Sequence, residues 1–172
     1  MKFPKFPKRS NTAEESARGR RKRLEREAKA NAPTGDTCRE HPEFNRLAYV
    51  FRESLKANNL HAARQAFMQM DSLQIAMGLS DESLLCYSHE LGNGGLWVDA
   101  IRPLVVVGSK KGPRSDDAHL SLAKIQLETL KRSDLATATL NQIQTPETGP
   151  VDAAQKARLK ARDEMLQACK KG

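Results

Sequence analysis

One apolar pattern is written three times between Phe44 and Ile143. Leu47, Leu84 and Leu122 stand 37 and 38 residues apart, and the columns Val50, Tyr87, Ile125 and Leu60, Trp97, Leu135 keep those offsets, as do Ala63, Ala100 and Ala138. A period of this length marks an array of helix pairs, in which each unit covers an apolar face that its neighbour cannot bury alone. The competing reading is a single helical bundle whose columns agree by chance.

The spacing inside each unit predicts a pair of helices. Leu47, Val50, Phe51 and Leu55 fall three or four apart on one face, Asn58-Asn59 stops that helix, and Leu60, Ala63, Phe67 and Met70 start the same spacing again. A turn so short brings the helices into contact, and alanine at position 63 lets their backbones approach. The second unit opens at Ser80 as a helix N-cap, shows Leu84, Tyr87 and Leu91, breaks at Gly92 to Gly95, and returns with Trp97, Ala100, Ile101 and Leu104. Pro103 is expected in the first turn of that helix or at a kink. The third unit is expected to be capped at Ser115 and to return through Leu135, Ala138, Leu140 and Ile143, with Pro146, Gly149 and Pro150 ending the array. From Val151 to Cys169 one more helix with a narrow apolar stripe fits an end cap, which has no neighbour on its outer side.

Charge divides the chain unevenly. Of the net +8, residues 1 to 31 carry +7, with eleven Lys or Arg against four Glu. Met1 to Ser10 alternates Lys with Phe-Pro pairs and reads as an extended arm. Glu14 to Ala32 tolerates helix but offers Leu24 as its one large apolar residue, too little to bury a face. Pro33, Gly35 and Asp36 mark a linker, so the expected domains are a basic arm and linker over 1–40 and a helical-repeat domain over 41–172. Within the second, repeats are expected at about 43–73, 80–108 and 115–144, with a cap at 151–170.

Several function classes find no support. The longest uninterrupted apolar run is Leu104 to Val107, far short of a bilayer span, and MKFPKFPKRS lacks the apolar core of a secretory signal. The three cysteines, Cys38, Cys86 and Cys169, form no disulfide framework, and a cytoplasmic location is expected. Cys38 with His41 and Cys86 with His89 repeat a three-residue spacing of zinc-ligand types, yet one pair falls in the linker and the other on a helix, so no metal is expected. The glycines at 92 to 95 and 108 to 112 are turns, since neither run lies between a strand and a helix. No nucleophile motif stands out, and neither catalysis nor a cofactor is expected.

At the level of residues, NNLHAARQAFMQM resembles the turn and second helix of a tetratricopeptide repeat, with Leu60, Ala63 and Phe67 in its packing slots. GGLWVDAIRPLV fills the same slots with Trp97, Ala100 and Leu104, and SDLATATLNQI fills two of them with Leu135 and Ala138. The resemblance covers about 100 of the 172 residues. The chain departs from it in the small slot of the first helix, where Phe51, Ser88 and Gln126 stand, and in a period longer than the usual 34. A basic segment followed by LAYVFRESLKANNLHAARQAF is also similar to the soluble helical-repeat region of some bacterial rhomboid-type membrane proteins, which implies no peptidase here because the protease core is missing.

The resemblance implies a groove lined by the first helices of the pairs, reached by Asn45, Arg52, Glu82 and His89, with Leu120 and Leu127 at its far end under the C-terminal helix. A mixed-charge, partly apolar groove suits a peptide or helix of another protein; the plain alternative is ordinary surface. Arg18, Arg20, Arg21, Lys22, Arg23, Arg26 and Lys29 form an anion-binding cluster for phosphates of nucleic acid or an anionic membrane surface, against the plain alternative of a solubilising tail. The chain therefore reads as all-α: a short α-solenoid of three tetratricopeptide-like helix pairs with a capping helix and a disordered or marginally helical basic arm. Its expected role is a protein-binding scaffold or adaptor, with a nucleic-acid or ribosome-associated binder acting through the arm as the alternative.

Overall fold

The computed structural model of the protein describes residues 34–143 and 152–170, which are helical and contain no strand. The basic cluster of the arm lies outside the described residues. Eight helices are present among them: α1 (Gly35–Arg39), α2 (Phe44–Lys56), α3 (Leu60–Ser72), α4 (Asp81–Asn93), α5 (Trp97–Ser109), α6 (Ser115–Lys124), α7 (Ser133–Leu140) and α8 (Ala153–Cys169). A 3₁₀ turn at Ala76–Gly78 precedes α4, and a π turn at Ile125–Thr129 continues α6. The closest packing is between consecutive helices: α2 with α3, α4 with α5, and α6 with both α5 and α7.

The backbone repeats as the side chains do. The non-glycine residues with left-handed φ are Asn58, Gln74, Lys111 and Lys131, and Gly95 joins them at +75°. Asn58, Gly95 and Lys131 each stand two residues before a second helix, 37 and 36 residues apart, while Gln74 and Lys111 leave the first and second pairs, 37 apart. The chain reverses at the same places in each unit, and a residue with φ near +55° supplies the sharp turn. Asn59 then caps α3 through Ala62 N at 3.1 Å, and Ser80 caps α4 through Ser83 N at 3.2 Å, as its sequence position predicts.

The third unit corrects the expected register. The two second helices α5 and α7 start at Trp97 and Ser133, 36 residues apart rather than 38. A slip of two residues turns a helix by about 200°, so Leu135 is 40 % exposed and Ala138 is exposed, while Ala136, Leu140 and Ile143 are buried. The small slot after Ala63 and Ala100 is therefore Ala136. First helices α4 and α6 start 34 residues apart, so the 38-residue column was off by four. Four residues is about one turn, and for that reason Leu122 and Ile125 are buried all the same. Val50 is also exposed, because it occupies the place at which a following unit would face a preceding one and no pair precedes α2 among the described residues.

Two further expectations change. Folding begins inside the expected linker: Thr34 and Thr37 form a reciprocal capping box for α1, Cys38 is buried with its Sγ 3.4 Å from the Gln74 carbonyl, and Arg39 donates to the Gly78 carbonyl at 3.1 Å. Burial pushes the Cys38 thiol up, against smaller opposing effects of the Gly78 backbone and Lys110. Ser115 does not cap α6; it is buried and its Oγ donates to the Gly108 carbonyl at 3.0 Å, tying α6 to the end of α5. Pro103 lies inside α5, past its first turn, and is buried.

The core has two parts. One runs from Cys38 through Ile125 and holds the ring cluster Phe51, Phe67 and Tyr87; the other gathers Ala123, Ala136, Leu140 and Ile143 beneath Leu159, Met165 and Leu166 of α8. Burial drives Tyr87 up to about 12, with the Asp99 charge adding to the effect and Arg64 opposing it. Where α5 meets α6, the His119 ring sits against Gly108 with Nδ1 buried and unpartnered. Burial lowers the His119 pKa, against the opposing influence of Asp116 and Gln142. α8 has no fully buried residue and packs with Leu120 and Leu127 on the second core.

Candidate functional site

A cleft of about 630 Å³ opens between α4 and α6, with α5 beneath. Leu85, Ser88, His89, Gly92 and Asn93 come from α4, Trp97 and Leu104 from α5, and Asp117, Ser121, Lys124, Ile125, Glu128 and Thr129 from α6 and its π turn. Apolar Leu85, Leu104 and Ile125 form the floor with Trp97, which is 41 % exposed while Leu104 and Ile125 are buried. Polar groups stand around the mouth. This volume and lining fall in the range of sites that bind a few residues of a ligand.

Local chemistry sets each wall. Trp97 can lie on α4 because Gly92 has no side chain: a Cβ there would stand 2.6 Å from Cζ3 of the indole. Ser88 is buried and donates to the Ala100 carbonyl at 3.2 Å, so its hydroxyl is satisfied by α5. His89 Nδ1 lies 3.2 Å from Asn93 Nδ2 and 3.5 Å from Glu90 Oε1. Burial pushes the Asp117 carboxyl up, but Arg158 at 2.6 Å and Arg114 at 3.2 Å more than offset it and hold it below the usual carboxylate range. Asp117 thus joins the cleft wall to α8.

Lys124 and Glu128 differ from Asp117. They are four residues apart, the spacing that pairs opposite charges on an α-helix, yet neither forms an ion pair among the described residues. The π turn begins directly after Lys124, its hydrogen bond running over five residues from Leu130 N to the Ile125 carbonyl at 3.1 Å. The first helix of the third pair, counted to its left-handed turn residue, is two residues longer than its counterparts, and the π turn lies in that lengthened part. Both charges remain available at the mouth.

Of the residues expected to line a groove, His89 lies in the cleft. Glu82 is exposed on α4 with Oε1 3.9 Å from Arg114, and Asn45 and Arg52 are exposed on α2, Arg52 folding back onto the Ala48 carbonyl at 3.1 Å. These three are not brought to the cleft. Sequence reasoning missed Trp97, taken as core, together with Ser121, Lys124 and Glu128. The signal that could have found them is the change from Phe51 to Ser88 at equivalent places, which empties an interface. The Cys38 and Cys86 pairs also stay apart: Cys38 is buried beside Gln74, Cys86 is exposed on α4, and among the described residues no group of three potential metal ligands assembles. No helix among the described residues is long and apolar enough to cross a membrane.

Comparison with known proteins returns no match to a family model, a curated protein or a solved structure.

Proposed function

We propose that the chain is a non-catalytic protein-binding scaffold or adaptor, in which tetratricopeptide-like helix pairs hold a segment of a partner protein in the cleft between α4 and α6. The observation that carries this reading is a half-exposed tryptophan on an apolar floor, with two unpaired charges of opposite sign at the mouth. An exposed aromatic over buried aliphatics is the composition of an interface anchor site. The basic arm adds electrostatic attachment to an anionic surface. The test is co-purification with the full chain and with Ser121→Tyr, which narrows the cleft from an exposed position. Partners lost on the substitution and resistant to moderate salt support the cleft as the site; partners retained unchanged rule it out.

A second reading, a nucleic-acid or ribosome-associated binder working through its arm, is favoured by the +7 charge in residues 1 to 31. Counterion release makes such binding fall steeply with salt. Deleting residues 1 to 31 would then abolish capture, and nuclease treatment of the lysate would do the same. Cytoplasmic location belongs to both readings and is tested by fractionation.

A further inference from the structure

Successive pairs meet through three equivalent positions. Counted from the helix starts, these are the eighth residues of the leading pair's two helices and the seventh residue of the next pair's first helix. Between the first and second pairs they are Phe51, Phe67 and Tyr87, whose ring centroids lie 5.1 to 6.2 Å apart, Phe51 meeting Tyr87 edge-on. Between the second and third pairs they are Ser88, Leu104 and Ser121, and all three line the cleft. The cleft is therefore the place where this repeat omits the rings that close the preceding interface.

We propose that the cleft is a receptor for one aromatic side chain carried by a peptide segment of another protein, which enters the space that the rings of Phe51 and Tyr87 occupy one unit earlier. This rests on the reading of the cleft as a protein-binding site and names the anchor. Trp97 and Ile125 supply an aromatic and an aliphatic surface on the floor, and a ring inserted against the part-exposed Trp97 gains both buried area and an aromatic pair. Lys124 and Glu128, neither of which is in an ion pair among the described residues, face the flanks of the segment and select an acidic neighbour on one side of the anchor and a basic neighbour on the other.

The experiment is selection from a random dodecamer library displayed on phage against the full chain, followed by titration of synthetic winners through the fluorescence of Trp97, the chain's single tryptophan. Winners are expected to share one Phe, Tyr or Trp, to shift Trp97 emission, and to bind about tenfold or more weakly when that residue is Ala. Ser88→Phe and Ser121→Tyr, which restore the ring-bearing positions, are expected to abolish binding. Ser121 is exposed, so its variant keeps the test valid even if Ser88→Phe fails to fold. Winners without a shared aromatic that are still blocked by Ser121→Tyr overturn the anchor and leave the cleft as a binding site. No winners, or winners that bind both variants unchanged, overturn both readings. Self-association of the wild type that Ser121→Tyr removes assigns the space to a second copy and overturns the proposal.

Discussion

The indole of Trp97 and the ring of His119 each rest on a glycine, but only His119 is locked in place. A Cβ at Gly92 would come within 2.6 Å of Trp97 Cζ3, and one at Gly108 within 2.7 Å of His119 Nε2. Trp97 has solvent beside it; His119 is 8 % exposed between helices. Gly92→Ala is expected to change stability by less than about 1 kcal/mol, because helix propensity offsets the displaced ring, and to shift Trp97 emission to the red. Gly108→Ala is expected to cost about 1–3 kcal/mol, the usual penalty of overpacking. Denaturant titration of both variants checks the contrast; equal losses would contradict it.

Filling of the first interface is worth far more than the second in its present state. Phe51→Ala removes a fully buried ring packed on Phe67 and Tyr87 and is expected to cost about 3–5 kcal/mol. Ser88→Ala, at the equivalent place, loses one hydrogen bond to the Ala100 carbonyl and is expected to cost about 1 kcal/mol. Calorimetric or urea unfolding of the two variants separates these values.

Two arginines tie α8 to the rest of the fold. Arg158 donates to Asp117 at 2.6 and 3.2 Å and Arg162 to the Ile143 carbonyl at 3.1 Å, over a core separate from that of the first two pairs. Arg158→Ala is expected to cost about 1–2 kcal/mol. Hydrogen exchange should quicken in α8 while α2 and α3 stay protected, since local openings follow separate cores. Uniform quickening along the chain would show that the cores unfold together.

Titration of buried groups gives stability a shape in pH. The His119 pKa is lowered in the folded state, so below its ordinary value of about 6.5 the unfolded chain binds the extra proton and stability falls on acidification. His119→Phe is expected to flatten that slope below about pH 6.5. Tyr87, raised to about 12, stays protonated where the unfolded tyrosine ionises, so stability falls again as pH rises from about 10 toward 12. Thermal unfolding across pH measures both limbs.

Helices, their pairing and the period of the first two units were legible in the sequence because each rests on local chemistry. Leu47 and Phe51 mark a face three to four residues in period, Asn59 and Ser80 are caps, and Gly95 is a turn residue, and all of these act within one or two turns of chain. The all-α class and the polar outer side of α8 follow from the same periodicity. Register in the third unit was not legible, because a four-residue slip leaves Leu122 and Ile125 on the buried face and so hides itself, while the two-residue slip at Leu135 and Ala138 shows only when α7 is placed against α6. The capping of the fold by Cys38 and Arg39 depends on the carbonyls of Gln74 and Gly78, 36 and 39 residues away. The cleft was decided by tertiary structure: whether an interface is filled or open depends on which three side chains converge from three helices, and although Ser88 departs from Phe51 in the sequence, only the packing of α4, α5 and α6 brings it together with Leu104 and Ser121.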